Sequence, residues 1–239
     1  MPAAGCGARA DLNGNKVLAP LCGRPLLWWT LRALAAPTSL PAEADLVEIV
    51  IAARADEQAA IQSIVDCLPL ASSHPPVVRF VQGGASRQQS VANAVQVSCG
   101  DFLLVHDAAR PLVSAASMTL VCQAALRDGA AILALPAADT VKSAVVTEAK
   151  VLIERTLDRS LIWLAQTPQV FRRAILLAAL ARAAADDFFG TDCASLVERI
   201  DYPVTIVPGE ARNFKVTYAA DLERAAALLG ALDLETTLR

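Results

Sequence analysis

Apolar, β-branched runs alternate along this chain with segments of helical periodicity. Leu46–Ala52, Val77–Val81, Phe102–His106, Ala131–Leu135 and Val204–Val207 are short apolar runs with at most one polar residue each, the pattern of buried strands. Between and after them, Pro25–Ala35, Asp56–Cys67, Arg87–Val97, Ala115–Arg127, Arg173–Ala185, Cys193–Arg199 and Ala219–Leu232 carry helical spacing. Strand–helix alternation with largely apolar strands predicts an α/β fold with a mostly parallel sheet, helices on both faces and right-handed crossovers. One segment departs from this rhythm. Lys142–Leu157 alternates with period two around a polar turn at Thr147–Lys150, which predicts a projecting β-hairpin, after which the chain returns through Trp163–Phe171. No repeat, linker or low-complexity tract divides the chain, so the expectation is one domain over residues 1–239 with an arm at about 138–163.

Composition narrows the class. Just over half of the residues are apolar, enough for a large core, and the net charge of −3 offers no basic field for a nucleic acid. A small phosphorylated substrate needs only a local group of cations. The six cysteines include no CxxC pair, and a chain of this size needs no staples, so they read as free thiols in a reducing, cytoplasmic setting. His74 and His106 are the only histidines, which argues against a zinc site. No apolar run reaches the roughly 18–20 residues of a membrane helix, and Met1 is followed at once by a glycine loop rather than by a signal peptide.

Ligands of open α/β sheets bind beyond the carboxyl ends of the strands, so loops there carry the candidate chemistry. The opening Pro2-Ala3-Ala4-Gly5-Cys6-Gly7-Ala8-Arg9, with Lys16 seven residues on, can bring backbone N–H groups and two cations to a polyphosphate. It is neither a Walker loop nor a complete GxGxxG fingerprint, because Ala10 stands where the third glycine would fall. By itself it reads equally well as a turn with two solvated cations.

Further motifs follow in a fixed order. They are Gly83-Gly84-Ala85-Ser86-Arg87-Gln88-Gln89-Ser90-Val91, His106-Asp107-Ala108-Ala109-Arg110-Pro111, Asp139-Thr140-Val141-Lys142, Asp158-Arg159, Gln166-Thr167-Pro168-Gln169, Thr191-Asp192 and Asn213-Phe214-Lys215. With the PAAGxGxR opening, this series resembles the 2-C-methyl-D-erythritol 4-phosphate cytidylyltransferase family from residue 2 to about residue 225. The resemblance implies a Rossmann-like three-layer fold of the nucleotide-diphospho-sugar transferase type. It also implies transfer of a cytidylyl group from CTP to a sugar-alcohol phosphate.

The resemblance further implies a role for each residue. Ala3, Ala4, Gly5 and Gly7, with Gly83, Gly84 and Ser90, hold the nucleotide. Arg9, Lys16 and Lys215 offset charge on the reacting phosphates. Asp107, a carboxylate at a strand end facing the triphosphate, both touches the nucleotide and holds Mg²⁺ or another divalent cation, which takes hard oxygen ligands. Thr140, Arg159 and Thr167 hold the acceptor phosphate, with Thr140 and Arg159 serving a neighbouring subunit's site in an arm-exchanged homodimer. Each also has an ordinary reading: Ser90 as a cap, Asp107 as a turn cap, Lys215 as a surface lysine, the acceptor trio as loop polarity. His106 is read as structural and Arg110 as a brace for its loop.

The chain departs from the family pattern in places. Relatives carry a buried strand before PAAG where only Met1 stands, so the first strand is expected to be missing and the glycine loop unanchored. Asn15-Lys16-Val17 replaces a Pro-Lys pair, Ala85 takes a position that is acidic in some relatives, and Cys193 follows Asp192 where an acid is common. Two other readings stay open: a ribitol-phosphate cytidylyltransferase, and a non-catalytic nucleotide-binding protein of the same fold.

Overall fold

The computed structural model describes residues 1–4, 14–36, 40–69 and 75–237, with side chains to residue 231. A two-residue hairpin, β1 (Pro20–Leu21) and β2 (Arg24–Pro25), leads into helix α1 (Leu26–Leu34). Then come β3 (Glu48–Ala53), α2 (Gln58–Asp66), β4 (Val77–Gln82), α3 (Arg87–Val97), β5 (Phe102–Val105), α4 (Ala115–Asp128) and β6 (Ala130–Pro136). The arm is β7 (Lys142–Val146) and β8 (Val151–Thr156), and the chain returns as β9 (Trp163–Arg172). Helices α5 (Arg173–Ala185) and α6 (Cys193–Glu198), strand β10 (Thr205–Pro208) and helix α7 (Ala219–Thr237) complete it. The β1–β2 hairpin has no counterpart in the sequence pattern, and the return segment through Trp163 is a full strand.

Local chemistry sets the boundaries. Ser86 caps α3 by accepting from the Gln89 amide, Ser114 caps α4 through Ser117, and Asp192 forms a capping box with Ser195 on α6. Helix α4 ends on Gly129 at φ 86°, where a Cβ would lie 2.3 Å from the Tyr202 hydroxyl.

Two sheet blocks form. One runs in the order β10-β6-β9-β5 and the other pairs β3 with β4 in parallel. Strand β9 is antiparallel to both β5 and β6, whereas β10 is parallel to β6. The reversal follows from the arm: β6 leaves the sheet through the β7–β8 hairpin and comes back beside itself without a crossover helix. Helices cover both faces. Helices α3, α5 and α6 pack through Val91, Val95, Leu176 and Leu196 against Phe171 on one side. On the other, α4 packs Met118, Val121 and Ala125 onto Leu133 and Val170. The three-layer α/β expectation holds.

No strand lies between β3 and β5 among the described residues. Residues Met1–Ala3 take up that position in part. Pro2 bridges Ala52 in parallel, the Ala3 amide donates to the Ala52 carbonyl (2.8 Å), and the Ala52 amide donates to the Met1 carbonyl (3.0 Å). Beyond Met1, the space between the two strands is an apolar slot of about 170 Å³, walled by residues such as Ile49, Val50, Val91, Val95, Leu104 and Cys122. The Met1 ammonium sits at its mouth and donates to the Val50 carbonyl at 2.6 Å. Burial and the nearby Arg87 push its pKa down to about 5.

Candidate active site

The loops beyond the carboxyl ends of β4 and β5 converge with Pro2–Ala4 on a cavity of about 270 Å³, lined among others by Ala3, Ala4, Lys16, Gly84, Arg87 and Asp107. Lys215, Ser90, Ala108 and Ala109 also line it. The site residues expected from the sequence therefore gather here, with exceptions. Gly5, Gly7 and Arg9 lie outside the described residues. Thr140 and Arg159 are exposed at the base of the arm and do not line this cavity, and Arg159 donates to the Ala138 carbonyl at 2.7 Å.

Gly83 lets two loops meet. A Cβ on it would fall 2.2 Å from the Ala4 Cβ, so any side chain there would force the opening loop away from the β4–α3 turn. Asn15 pins the same region from below: its side-chain amide donates to the Ala3 carbonyl (2.7 Å) and to Glu57 (2.8 Å), all buried. Ser90 is 3% exposed, and its hydroxyl donates to the Ser86 carbonyl (2.9 Å) while accepting from the Gly84 amide (3.0 Å). Its proton is thus spent on shaping the Gly84 turn.

Asp107 follows the end of β5. Its carboxylate is 7% exposed and is held by Arg87 (3.0 Å) and Lys215 (3.0 Å), with Arg110 at 3.9 Å. Burial alone would raise its pKa, but the attraction of Arg87, Lys215 and Arg110 outweighs it and holds the group well below the usual carboxylate range. Burial likewise opposes the charge on Arg87, and Asp107 more than restores it. Three cations surround this one anion, and Lys16 also lines the cavity. The Arg87 Nη2 is buried with no hydrogen-bond partner among the described residues, so the guanidinium keeps an unused donor. Its Nη1 rests on the Cys193 thiol at 3.7 Å, which burial keeps protonated by pushing its pKa up.

The Lys215 segment is stapled in place. Asn213 donates to the Thr167 carbonyl (2.9 Å) and the Gln166 side chain (3.2 Å), Arg110 donates to the Asn213 carbonyl (2.6 Å), and the Val216 amide donates to the Ala109 carbonyl (2.9 Å). Arg110 accordingly braces two loops at once.

Thr167 does not open onto the cavity with Lys215. It is 4% exposed behind Asp107, accepting from the Asp107 amide (3.0 Å) and lying 3.0 Å from the His106 ring. None of the three residues implied for the acceptor phosphate lines this cavity.

Arg87, Asn15 and His106 join the site without having been assigned to it from the sequence. A signal existed for Arg87: a cation at the first residue of a helix opposes the helix dipole and calls for a carboxylate nearby. Asp107 is the only carboxylate lining the cavity among the described residues, and no group of three or more metal-ligating side chains occurs among them. A single hard oxygen ligand suits Mg²⁺, which takes most of its shell from water and substrate phosphates. Five cysteines are free thiols among the described residues, and no helix there is long and apolar enough to cross a membrane.

Comparison with known proteins identifies the family. The family model described as 2-C-methyl-D-erythritol 4-phosphate cytidylyltransferase matches residues 1–231. The enzyme of that name from Acidobacterium capsulatum is 42% identical over 234 residues, covering 95% of this chain and 94% of the relative. That from Aquifex aeolicus is 41% identical over 228 residues, covering 95% of each chain. The crystal structure of the Thermus thermophilus enzyme superposes with a TM-score of 0.71 at 35% identity, covering 95% of each chain. The chain belongs to the 2-C-methyl-D-erythritol 4-phosphate cytidylyltransferase family.

Proposed function

We propose that this protein transfers the cytidylyl group of CTP to 2-C-methyl-D-erythritol 4-phosphate and releases pyrophosphate, a step of isoprenoid precursor biosynthesis. One observation carries the reading beyond family membership. A single buried carboxylate, Asp107, is clasped by Arg87 and Lys215 in a cavity bounded by the opening loop and the Gly84 turn.

The reaction needs no protein nucleophile. The acceptor's phosphate oxygen is already an anion at neutral pH. It attacks the α-phosphorus of CTP in line, a new P–O bond forms, and the bond to the β-phosphate breaks with its electrons leaving on pyrophosphate. The protein's part is placement and charge neutralisation. Backbone groups at Ala3–Ala4 and Gly83–Gly84 hold the nucleoside. Lys16, Arg87 and Lys215 face the phosphates, and Arg9, which lies outside the described residues, is assigned the same charge-offsetting role. Asp107 would hold Mg²⁺ or another divalent cation, which when bound supplies charge stabilisation at the phosphate oxygens.

The active form is a cytoplasmic homodimer joined through the arm. On β7, β8 and the returning strand, Val145, Val146, Val151, Ile153 and Leu164 are exposed, an apolar surface that a two-stranded hairpin cannot bury alone. In that dimer Thr140 and Arg159 would complete the partner's acceptor site. Pyrophosphate release measured with CTP and either methylerythritol phosphate or ribitol 5-phosphate tests the proposal. Turnover with the first is expected. Turnover with ribitol phosphate alone would reassign the acceptor, and none with either would leave a nucleotide-binding protein.

A further inference from the structure

We infer that Asn15 is a positioning residue for CTP: its side-chain amide fixes the Ala3–Ala4 backbone and the Lys16 turn at the separation that lets one nucleotide engage both. The inference rests on the proposed roles of those two parts in holding CTP.

Asn15 is buried among groups that leave its amide no choice of orientation. The Ala3 carbonyl oxygen, 2.7 Å away, only accepts, so the atom facing it is Nδ2. The second Nδ2 hydrogen goes to Glu57 Oε2 at 2.8 Å. Oδ1 is left toward the Val17 amide, which donates to it at 3.3 Å and makes Asn15 the cap of the turn Lys16–Leu18. Both hydrogens and the oxygen are thus engaged, each with a different stretch of chain.

Two of those stretches belong to one unit. The Ala3 amide donates to the Ala52 carbonyl of β3 (2.8 Å), and Glu57 closes the turn Ala55–Glu57 directly after that strand. Asn15 is therefore clamped to β3 from two sides, and it carries Lys16 as its next residue. Ala3, Ala4, Asn15 and Lys16 all line the candidate active-site cavity. Ala4 and Gly14 flank residues 5–13, so Asn15 joins the two ends of that segment.

A hold on the nucleoside and a hold on the phosphates add in full only when their spacing is set before binding. Asn15 sets it. The family pattern has proline at this position, which has no side-chain donor, so the staple is this chain's own.

Binding without turnover tests this. Cytidine and inorganic triphosphate, each titrated alone with Mg²⁺, report the two holds separately, and CTP reports them together. Asn15→Ala should weaken CTP roughly ten- to a hundredfold while cytidine and triphosphate change less than about twofold. In turnover, the KM for CTP should rise with the acceptor KM unchanged. In a Lys16→Met background, Asn15→Ala should weaken CTP by a smaller factor, because the cation it positions is already gone. Equal weakening of all three ligands, or equal factors in both backgrounds, would make Asn15 a support of the fold alone and overturn the inference. Unchanged CTP affinity would overturn it as well.

Glu57→Gln keeps an acceptor beside the Asn15 amide and should weaken CTP about threefold with the same selectivity. Should Asn15→Ala fail to fold, this variant decides, and unchanged CTP affinity in it overturns the inference. A parent protein that binds neither CTP nor its two parts would instead count against the proposed function. Even then the Asn15 side-chain amide protons, followed in a nitrogen-15 spectrum, should exchange slowly with solvent, and fast exchange would overturn the staple.

Discussion

An apolar segment fused ahead of Met1 should stabilise this chain, because among the described residues an apolar slot lies between β3 and β5 with no strand in it. The perturbation is an extension of roughly 6–10 residues rich in Val and Ile, about one strand. Met1–Ala3 already run parallel to β3, so the added residues would continue along the slot and pair with both flanking strands. Filling about 170 Å³ of apolar space at about 24 cal/mol per Å³ contributes at most about 4 kcal/mol. At 2–4 °C per kcal/mol for a chain of this size, the melting temperature should rise by up to about 8–16 °C.

The extension also replaces a buried ammonium with a peptide N–H. The amine's pKa falls from 8.0 to about 5 on folding, so the unfolded chain binds the extra proton between those pH values. Stability of the 239-residue chain should therefore climb with pH from about 5 to 8, by about 1.4 kcal/mol per unit, and level off above 8. The extended chain should lack that slope. Calorimetry of three proteins decides it: the chain, the apolar extension and a Gly/Ser extension of equal length. Equal melting temperatures for the two extensions would refute the reasoning, as would an unchanged pH slope. CTP affinity should improve with stability, since Ala3 and Ala4 would then end a continuous strand rather than a stub.

Other expectations concern the site and the arm. Asp107→Asn should lower kcat/KM on the order of 10²–10³ and also lower the melting temperature, because Arg87 and Lys215 then face each other without their anion. The stability gap should be present above about pH 4 and close as acid protonates the wild-type carboxylate, whose folded pKa is depressed; steady-state kinetics and melts across pH check both. Lys215→Met should cost a similar factor in kcat while leaving the melt nearly unchanged, since this lysine is half-exposed. Ile153→Asp, on the exposed arm, should convert a dimer to monomers in sedimentation at micromolar concentration; a wild-type monomer would remove the arm from the interface.

The strands and helices were legible because each core segment advertises its burial locally. Ile49–Ala53 and Ala130–Leu133 are apolar without interruption, and the α4 register follows from Met118, Val121 and Ala125. What local pattern cannot carry is pairing. The antiparallel placement of β9 depends on the arm delivering the chain to the edge of β6, and the β1–β2 hairpin is too short to have a period. The site divides in the same way. Asp107 and Lys215 were visible as residue types at strand ends. The partners that decide what they do stand far off in sequence: Arg87 is twenty residues before Asp107, and Thr167 sixty after it. Ser90 shows the reverse case. Its hydroxyl invites assignment to a ligand, and only the fold reveals that its proton is already engaged within the protein. The missing strand was expected to leave the opening loop loose; the pairing of Met1–Ala3 with Ala52, and of Asn15 with Ala3, supplies part of that anchor.

The most direct test of the central claim follows the label of CTP. With phosphorus-32 in the α position, methylerythritol phosphate and Mg²⁺, the label should pass into a cytidine diphosphate ester of the acceptor, while label in the γ position should leave as pyrophosphate. Lys215→Met should slow both equally. Retention of the α label in CTP, or its release as CMP with the acceptor unmodified, would contradict the account.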